Sequence, residues 1–317
     1  LPKSKKSVRR FAKRALTGND EGRNMNKKSK IKKVLAAGAL GGGLLILAGC
    51  NNAVQTSAAP IQPTPGVLPV AASPPAPKPK PDPLLEYRRS LQIPTYARGQ
   101  VFTKVPVKPG TKPFALTFDD GPWPHYTREI LQILAENDVK ATFFMVGHEV
   151  SERPKIAREV RDAGHAIGSH SWNHPSRPRD PIAQIKRTDA ILKKEVGITP
   201  TTFRPPYGLL KNGMAHQAMK EKMAILIWSA DCADWKRPGS AHIARMIIGQ
   251  ASPGGIALMH DGGGNRSQTV AALPVIIREL KARGYYFVTI PELLRLRHIA
   301  PPKPKAKPKT KAKPHKS

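Results

Sequence analysis

Ala115-Leu116-Thr117-Phe118-Asp119-Asp120-Gly121-Pro122 carries an apolar, strand-like run into two carboxylates and a turn. A short continuous apolar run bounded by turn residues is the signature of a strand buried on both faces. Six further runs of this kind follow, at Ala141–Val146, Ala166–Gly168, Thr201–Phe203, Met223–Trp228, Gly255–Met259 and Tyr285–Ile290. Helical periodicity separates them over Tyr126–Glu136, Pro154–Ala163, Ile182–Val196, Ala215–Lys222, His242–Gln250 and Val270–Arg283. Ser151 and Asn212 suit helix N-caps, and Gly164 and Gly284 suit C-terminal stops. Seven strands alternating with helices predict an α/β fold whose parallel sheet closes, or nearly closes, into a barrel. Residues 111–298 are short for an eight-fold barrel, which typically needs about 250 residues.

The chain of 317 residues holds 53 Lys and Arg against 22 Asp and Glu, a formal charge of +31. Most of that excess lies outside the predicted barrel. Residues 1–33 carry 13 basic and 2 acidic side chains, and 301–317 carry seven Lys and no acid. Residues 111–298 carry 26 basic against 18 acidic. With 6% aromatic residues and no basic stripe interleaved with stacking rings, the composition argues against a nucleic-acid partner.

Met25-Asn26-Lys27-Lys28-Ser29-Lys30-Ile31-Lys32-Lys33 reads as the basic start of an export signal, followed by small and apolar residues from Val34 to Ala48. Leu47-Ala48-Gly49-Cys50 then resembles a bacterial lipobox, which implies cleavage before Cys50 and lipidation of its thiol. Residues 1–24 read as an over-extended start and 25–49 as the signal peptide. Residues 50–83 form a Pro- and Ala-rich spacer, 84–110 a lead-in, 111–298 the barrel, and 299–317 a Lys- and Pro-rich tail. The expected location is therefore outside the cytoplasm, on a membrane facing the periplasm or cell wall. An anionic wall polymer is a natural partner for the cationic tail. Cys232, the second cysteine, reads as a small buried hydrophobe.

Reactive residues of a β/α barrel gather at the C-terminal ends of its strands. Here those ends carry Asp119-Asp120, His170 with His174 four residues on, Arg204-Pro205-Pro206-Tyr207, Asp231-Cys232-Ala233-Asp234-Trp235 and Leu258-Met259-His260-Asp261. An oxygen ligand, two imidazoles, a spare carboxylate and a spare imidazole are what a metal-activated hydrolysis needs. Asp231 and Asp261 read better as structural hydrogen-bonding residues. His125, His148, His165 and His242 fall outside the set. Arg266, in the glycine-rich loop after His260, suits either substrate contact or loop anchoring.

In this order, Thr-Phe-Asp-Asp-Gly-Pro, His-Ser-X-X-His, Arg-Pro-Pro-Tyr, Asp-X-X-Asp-Trp and Leu-X-His-Asp resemble the polysaccharide deacetylases of carbohydrate esterase family four. The resemblance runs over about residues 112–292 and implies a distorted barrel of about seven parallel strands. It implies that Asp120, His170 and His174 bind one divalent ion, zinc first, with cobalt, manganese, nickel or iron as alternatives. By the same resemblance Asp119 is the general base, held by Arg204, and His260 is the general acid, held by Asp234. The Tyr207 backbone N–H would steady the oxyanion, and Trp235 and Leu258 would wall an acetyl pocket. The implied reaction is removal of N-acetyl groups from N-acetylglucosamine units of an envelope polysaccharide, peptidoglycan foremost. Chitooligosaccharides or an exopolysaccharide are alternative substrates. A catalytically silent wall-binding lipoprotein and a small-molecule amidase are the rival classes.

Overall fold

Nine strands, all paired in parallel, form the sheet of the computed structural model, which describes residues 82–298. The signal segment, Cys50, the spacer up to residue 81 and the tail beyond residue 298 lie outside the described residues. The strands are β1 (Val101–Phe102), β2 (Pro113–Asp119), β3 (Thr142–Met145), β4 (Ala166–Ser169), β5 (Thr202–Phe203), β6 (Ala224–Leu226), β7 (Ala230–Asp231), β8 (Gly255–His260) and β9 (Tyr286–Phe287). Their order is β1-β6-β5-β4-β3-β2-β8-β7, with β9 beside the start of β2. The helices are α1 (Pro83–Ser90), α2 (Tyr126–Glu136), α3 (Gly147–Glu152), α4 (Pro154–Asp162), α5 (Pro181–Glu195), α6 (Met214–Lys220), α7 (Ser240–Gln250), α8 (Ser267–Ala282) and α9 (Ile290–Arg295).

Every residue of β2 is buried, because one face meets the barrel interior and the other the helices. Its Phe118 ring stacks on Phe143 of β3 with centroids 5.2 Å apart. The run expected as one strand over Met223–Trp228 is strand only over Ala224–Leu226. Its first part, β6, pairs with β5 and β1, while β7, just beyond it, pairs with β8 at the far edge of the sheet. Only residues 227–229 join them, a link of at most about 14 Å. A flat sheet in this order cannot keep its two ends so close, so the sheet curls into a distorted barrel. Among the described residues no ladder pairs β1 with β7, and the barrel stays open along that seam.

Other expectations shift as well. The lead-in is part of the barrel: Asp82 caps α1, β1 extends the sheet, and Leu91, Ile93 and Val105 are buried. The boundary between residues 83 and 84 therefore falls inside α1, and the barrel begins well before residue 111. The last expected strand shrinks to β9, because Thr289 and Glu292 form a capping box that starts α9. Ser151 lies within α3 and caps nothing, its hydroxyl donating to the carbonyl of His148. Asn212 precedes the N-cap of α6, Gly213, yet its Oδ1 still accepts the Met214 N–H at 3.3 Å. Gly164 and Gly284 follow α4 and α8 with φ of 77° and 78°, a conformation that glycine adopts without steric cost.

Candidate active site

The C-terminal ends of β2, β4 and β8 and the turns after β5 and β7 surround a cavity of about 420 Å³. Asp119, Asp120, His170, His174, Tyr207 and His260 line it. Trp228, Asp231, Trp235 and Leu258 supply the rest, apart from Pro205. Arg204 and Asp234 stand behind the wall, each buried against a lining residue. Cys50 lies outside the described residues.

Asp120, His170 and His174 offer donor atoms within 4.8 Å of one another. The Oδ1 of Asp120 is 3.6 Å from His170 Nε2 and 3.5 Å from His174 Nε2. Donors about 2.1 Å from a tetrahedral ion stand about 3.4 Å apart, so the spacing fits one cation. That same Oδ1 is buried and accepts no hydrogen bond, a costly state for a carboxylate oxygen without a cation. The Nδ1–H of His170 donates to the Arg204 carbonyl at 2.7 Å, which fixes the tautomer with a lone pair on Nε2. Burial, with the neighbouring His174, holds the His170 pKa down to about 3, so the ring is neutral.

Asp119 is buried and accepts a 2.8 Å hydrogen bond from Arg204 Nη1. Burial pushes its carboxyl above the usual range, against the pull of Arg204 and His260. Arg204 is itself fully buried. It donates to the Thr117 hydroxyl at 2.7 Å and to the carbonyls of Leu226 and Ile227, and it stacks 4.2 Å over Phe144. A side chain so fully satisfied has no freedom to turn away from Asp119.

On the neighbouring strand, Nδ1–H of His260 donates to Asp234 Oδ1 at 2.6 Å. Asp234 Oδ2 accepts the His260 backbone N–H and the Thr269 hydroxyl. Burial alone would discharge the ring, but Asp234, reinforced by Asp120 and Asp119, carries its pKa up to about 9. Asp119 and His260 are register partners on the adjacent strands β2 and β8, the carboxyl raised by burial and the imidazole raised by Asp234.

Tyr207 and Trp235 are 61% and 53% exposed at the rim, ready to meet a ligand. Among the described residues eight non-glycine positions have positive φ, and three of them line this cavity: Asp120, His174 and Tyr207. Such strain, on the order of 1–3 kcal/mol each, gathers where function requires it.

Sequence reasoning overlooked Trp228, which ends an apolar run and reads as core. Asp231 both lines the cavity and accepts the Ala233 N–H at 2.8 Å. Asp261 is a buried hydrogen-bonding residue, its pKa raised to about 7 by burial. Arg266 anchors the loop through the carbonyls of Gly262 and Gly263 and does not line the cavity. Cys232 is buried, and His165 accepts the Ala141 N–H.

The model of the polysaccharide deacetylase family matches residues 107–224. A peptidoglycan-N-acetylglucosamine deacetylase of Bacillus cereus is 41% identical over 192 residues, covering 59% of this chain and 90% of that protein. The chain belongs to the polysaccharide deacetylase family. A peptidoglycan-N-acetylglucosamine deacetylase of Listeria monocytogenes is 37% identical over 194 residues, or 60% of this chain but only 40% of the Listeria protein. Among solved structures of such deacetylases, a peptidoglycan N-acetylglucosamine deacetylase in complex with 4-naphthalen-1-yl-N-oxidanyl-benzamide superposes with a TM-score of 0.59 at 34% identity. That match covers 63% of this chain and 96% of the other. The family model ends at residue 224, so Asp234 and His260 fall in the part of this deacetylase beyond it.

Proposed function

We propose that this deacetylase hydrolyses the N-acetyl group of N-acetylglucosamine units in a cell-envelope polysaccharide, peptidoglycan first. The observation that carries the proposal is the orphaned Asp120 Oδ1 between two imidazole nitrogens, flanked by a base held by Arg204 and an acid held by Asp234. Asp120, His170 and His174 would hold one divalent ion, zinc first. Bound there, the ion would supply Lewis-acid polarisation of the amide carbonyl and lower the pKa of its water towards about 7.

Asp119 takes the proton of the attacking water, and Arg204 keeps the carboxylate aimed at it. The water oxygen bonds to the carbonyl carbon, and the Tyr207 N–H offers a hydrogen bond to the developing oxyanion. His260 then gives its proton to the nitrogen as the C–N bond breaks, leaving acetate and a free amine on the sugar. Asp234 steadies the imidazolium until that transfer. Trp235 and Leu258 accept the acetyl methyl. A second cavity of about 550 Å³ shares Asp120, His174 and Tyr207 with the first and continues past Trp123, Glu149 and Asn173. It gives the polymer a course across the reacting centre.

The export signal, lipobox and spacer support a lipid-anchored protein working at the wall, with the cationic tail beside anionic wall polymer. Acetate release from purified peptidoglycan and from N-acetylglucosamine oligomers, by the full chain with added zinc, tests this reading. Release from peptidoglycan at the higher kcat/KM is expected. Release from neither polymer, by a protein that binds both, would favour the silent wall-binding class.

A further inference from the structure

The mechanism leaves one buried carboxylate unused. Asp261 is 1% exposed and lines neither cavity. Its neighbour His260 ends β8 and faces the reaction, and successive residues of an extended chain point to opposite sides, so Asp261 faces away. What it faces is the turn after β2. Its Oδ1 accepts the Gly121 N–H at 3.2 Å, and its Oδ2 accepts the Thr127 hydroxyl at 2.6 Å. The Thr127 oxygen in turn accepts the Trp123 N–H at 2.7 Å. From the other side, the backbone N–H groups of Asp261 and Gly262 both donate to the Asp119 carbonyl, at 3.1 and 3.3 Å.

These contacts straddle Asp120. The carbonyl before it and the amide after it are both gripped by residues 261–262. Asp120 needs such a grip, because its φ of 74° is left-handed and unfavourable for a residue with a Cβ. The fit is close: a Cβ on Gly121 would lie 2.1 Å from Asp261 Oδ2, and one on Gly262 would lie 2.2 Å from the Asp120 carbonyl oxygen. Glycine at both places lets the clamp close on the backbone itself.

We propose that Asp261 is a positioning residue that holds Asp120 in its left-handed conformation and thereby sets the affinity of the three-residue site for its divalent ion. It touches neither substrate nor ion. The inference rests on the metal reading of Asp120, His170 and His174 given above.

The test is the zinc affinity of the full chain, measured by competition with a chromogenic chelator for the wild type, Asp261→Asn and Thr127→Val. Asp261→Asn keeps the shape but cannot accept from both Gly121 and Thr127. Its dissociation constant should rise about 10–100-fold, the usual cost of losing an outer partner of a metal ligand. Thr127→Val should rise less and in the same direction. With zinc in excess, kcat of both variants should return to within about threefold of wild type with KM unchanged, and the absorption of the cobalt-loaded protein should differ from wild type. A folded Asp261→Asn whose zinc affinity stays within about threefold of wild type overturns the proposal. So does a variant whose kcat stays low at saturating zinc. Thr127→Val carries the same comparison if Asp261→Asn does not fold. A wild-type chain that binds no zinc would sink the metal reading itself, an outcome distinct from either of these.

Discussion

At the scale of single residues, the site divides its labour between adjacent carboxylates. Asp119 faces Arg204, and Asp120 faces two imidazoles. Asp119→Asn should therefore keep the metal, as elemental analysis will show, while turnover falls about 10²–10⁴-fold through loss of the general base. Asp120→Ala should lose the metal. Reversal of these two results would exchange the roles. His260 responds to pH through Asp234. Its folded pKa of about 9 lies above the ordinary 6.5, so its contribution to stability is full below about 6.5 and lost as pH rises through about 9. As general acid it should give kcat/KM an alkaline limb in the same window. Asp234→Asn keeps a neutral acceptor for the His260 ring but removes the charge, and should move that limb down by roughly one pH unit or more. A limb that does not move in the pH–rate profile of Asp234→Asn would assign it to another group.

At the scale of elements, legibility followed hydrophobic length. The long, wholly buried runs around β2, β3 and β8 were plain in the sequence, as was α2, because an amphipathic helix of 11 residues carries a clear period. The two-residue strands β1 and β7 were not, since two residues have no periodicity and their pairing is decided by distant chain. The pairing of β6 and β7 towards opposite ends of the strand order is likewise a tertiary outcome. In the site, Asp120, His170 and His174 were legible as ligand types at strand ends, whereas the clamp of Asp261 on Gly121 depends on contacts 140 residues apart. The lead-in was the largest omission, and it is tied in closely. Val105 donates to the Gly254 carbonyl at 2.9 Å, and a Cβ on Gly254, at φ 77°, would lie 1.9 Å from the Val105 carbonyl oxygen. Gly254→Ala should thus cost about 2–4 kcal/mol in denaturant unfolding, from overpacking and backbone strain together. A loss below about 0.5 kcal/mol would mean that the lead-in is not held against β8 as described.

At the scale of the whole molecule, the chain joins a barrel to sequences that read as an address. Cys50→Ser should shift the protein from the membrane to the soluble fraction without changing kcat on a soluble oligomer. Equal membrane retention of Cys50→Ser and its parent would remove the anchor from the account. In the proposed function, Asp120, His170 and His174 would hold the ion on which hydrolysis depends. The most direct measurement is acetate release by the full chain before chelation, after stripping to a metal-free state verified by elemental analysis, and after adding back zinc or cobalt. The account predicts release, loss and restoration at about one ion per chain. Undiminished acetate release from the verified metal-free protein would contradict it.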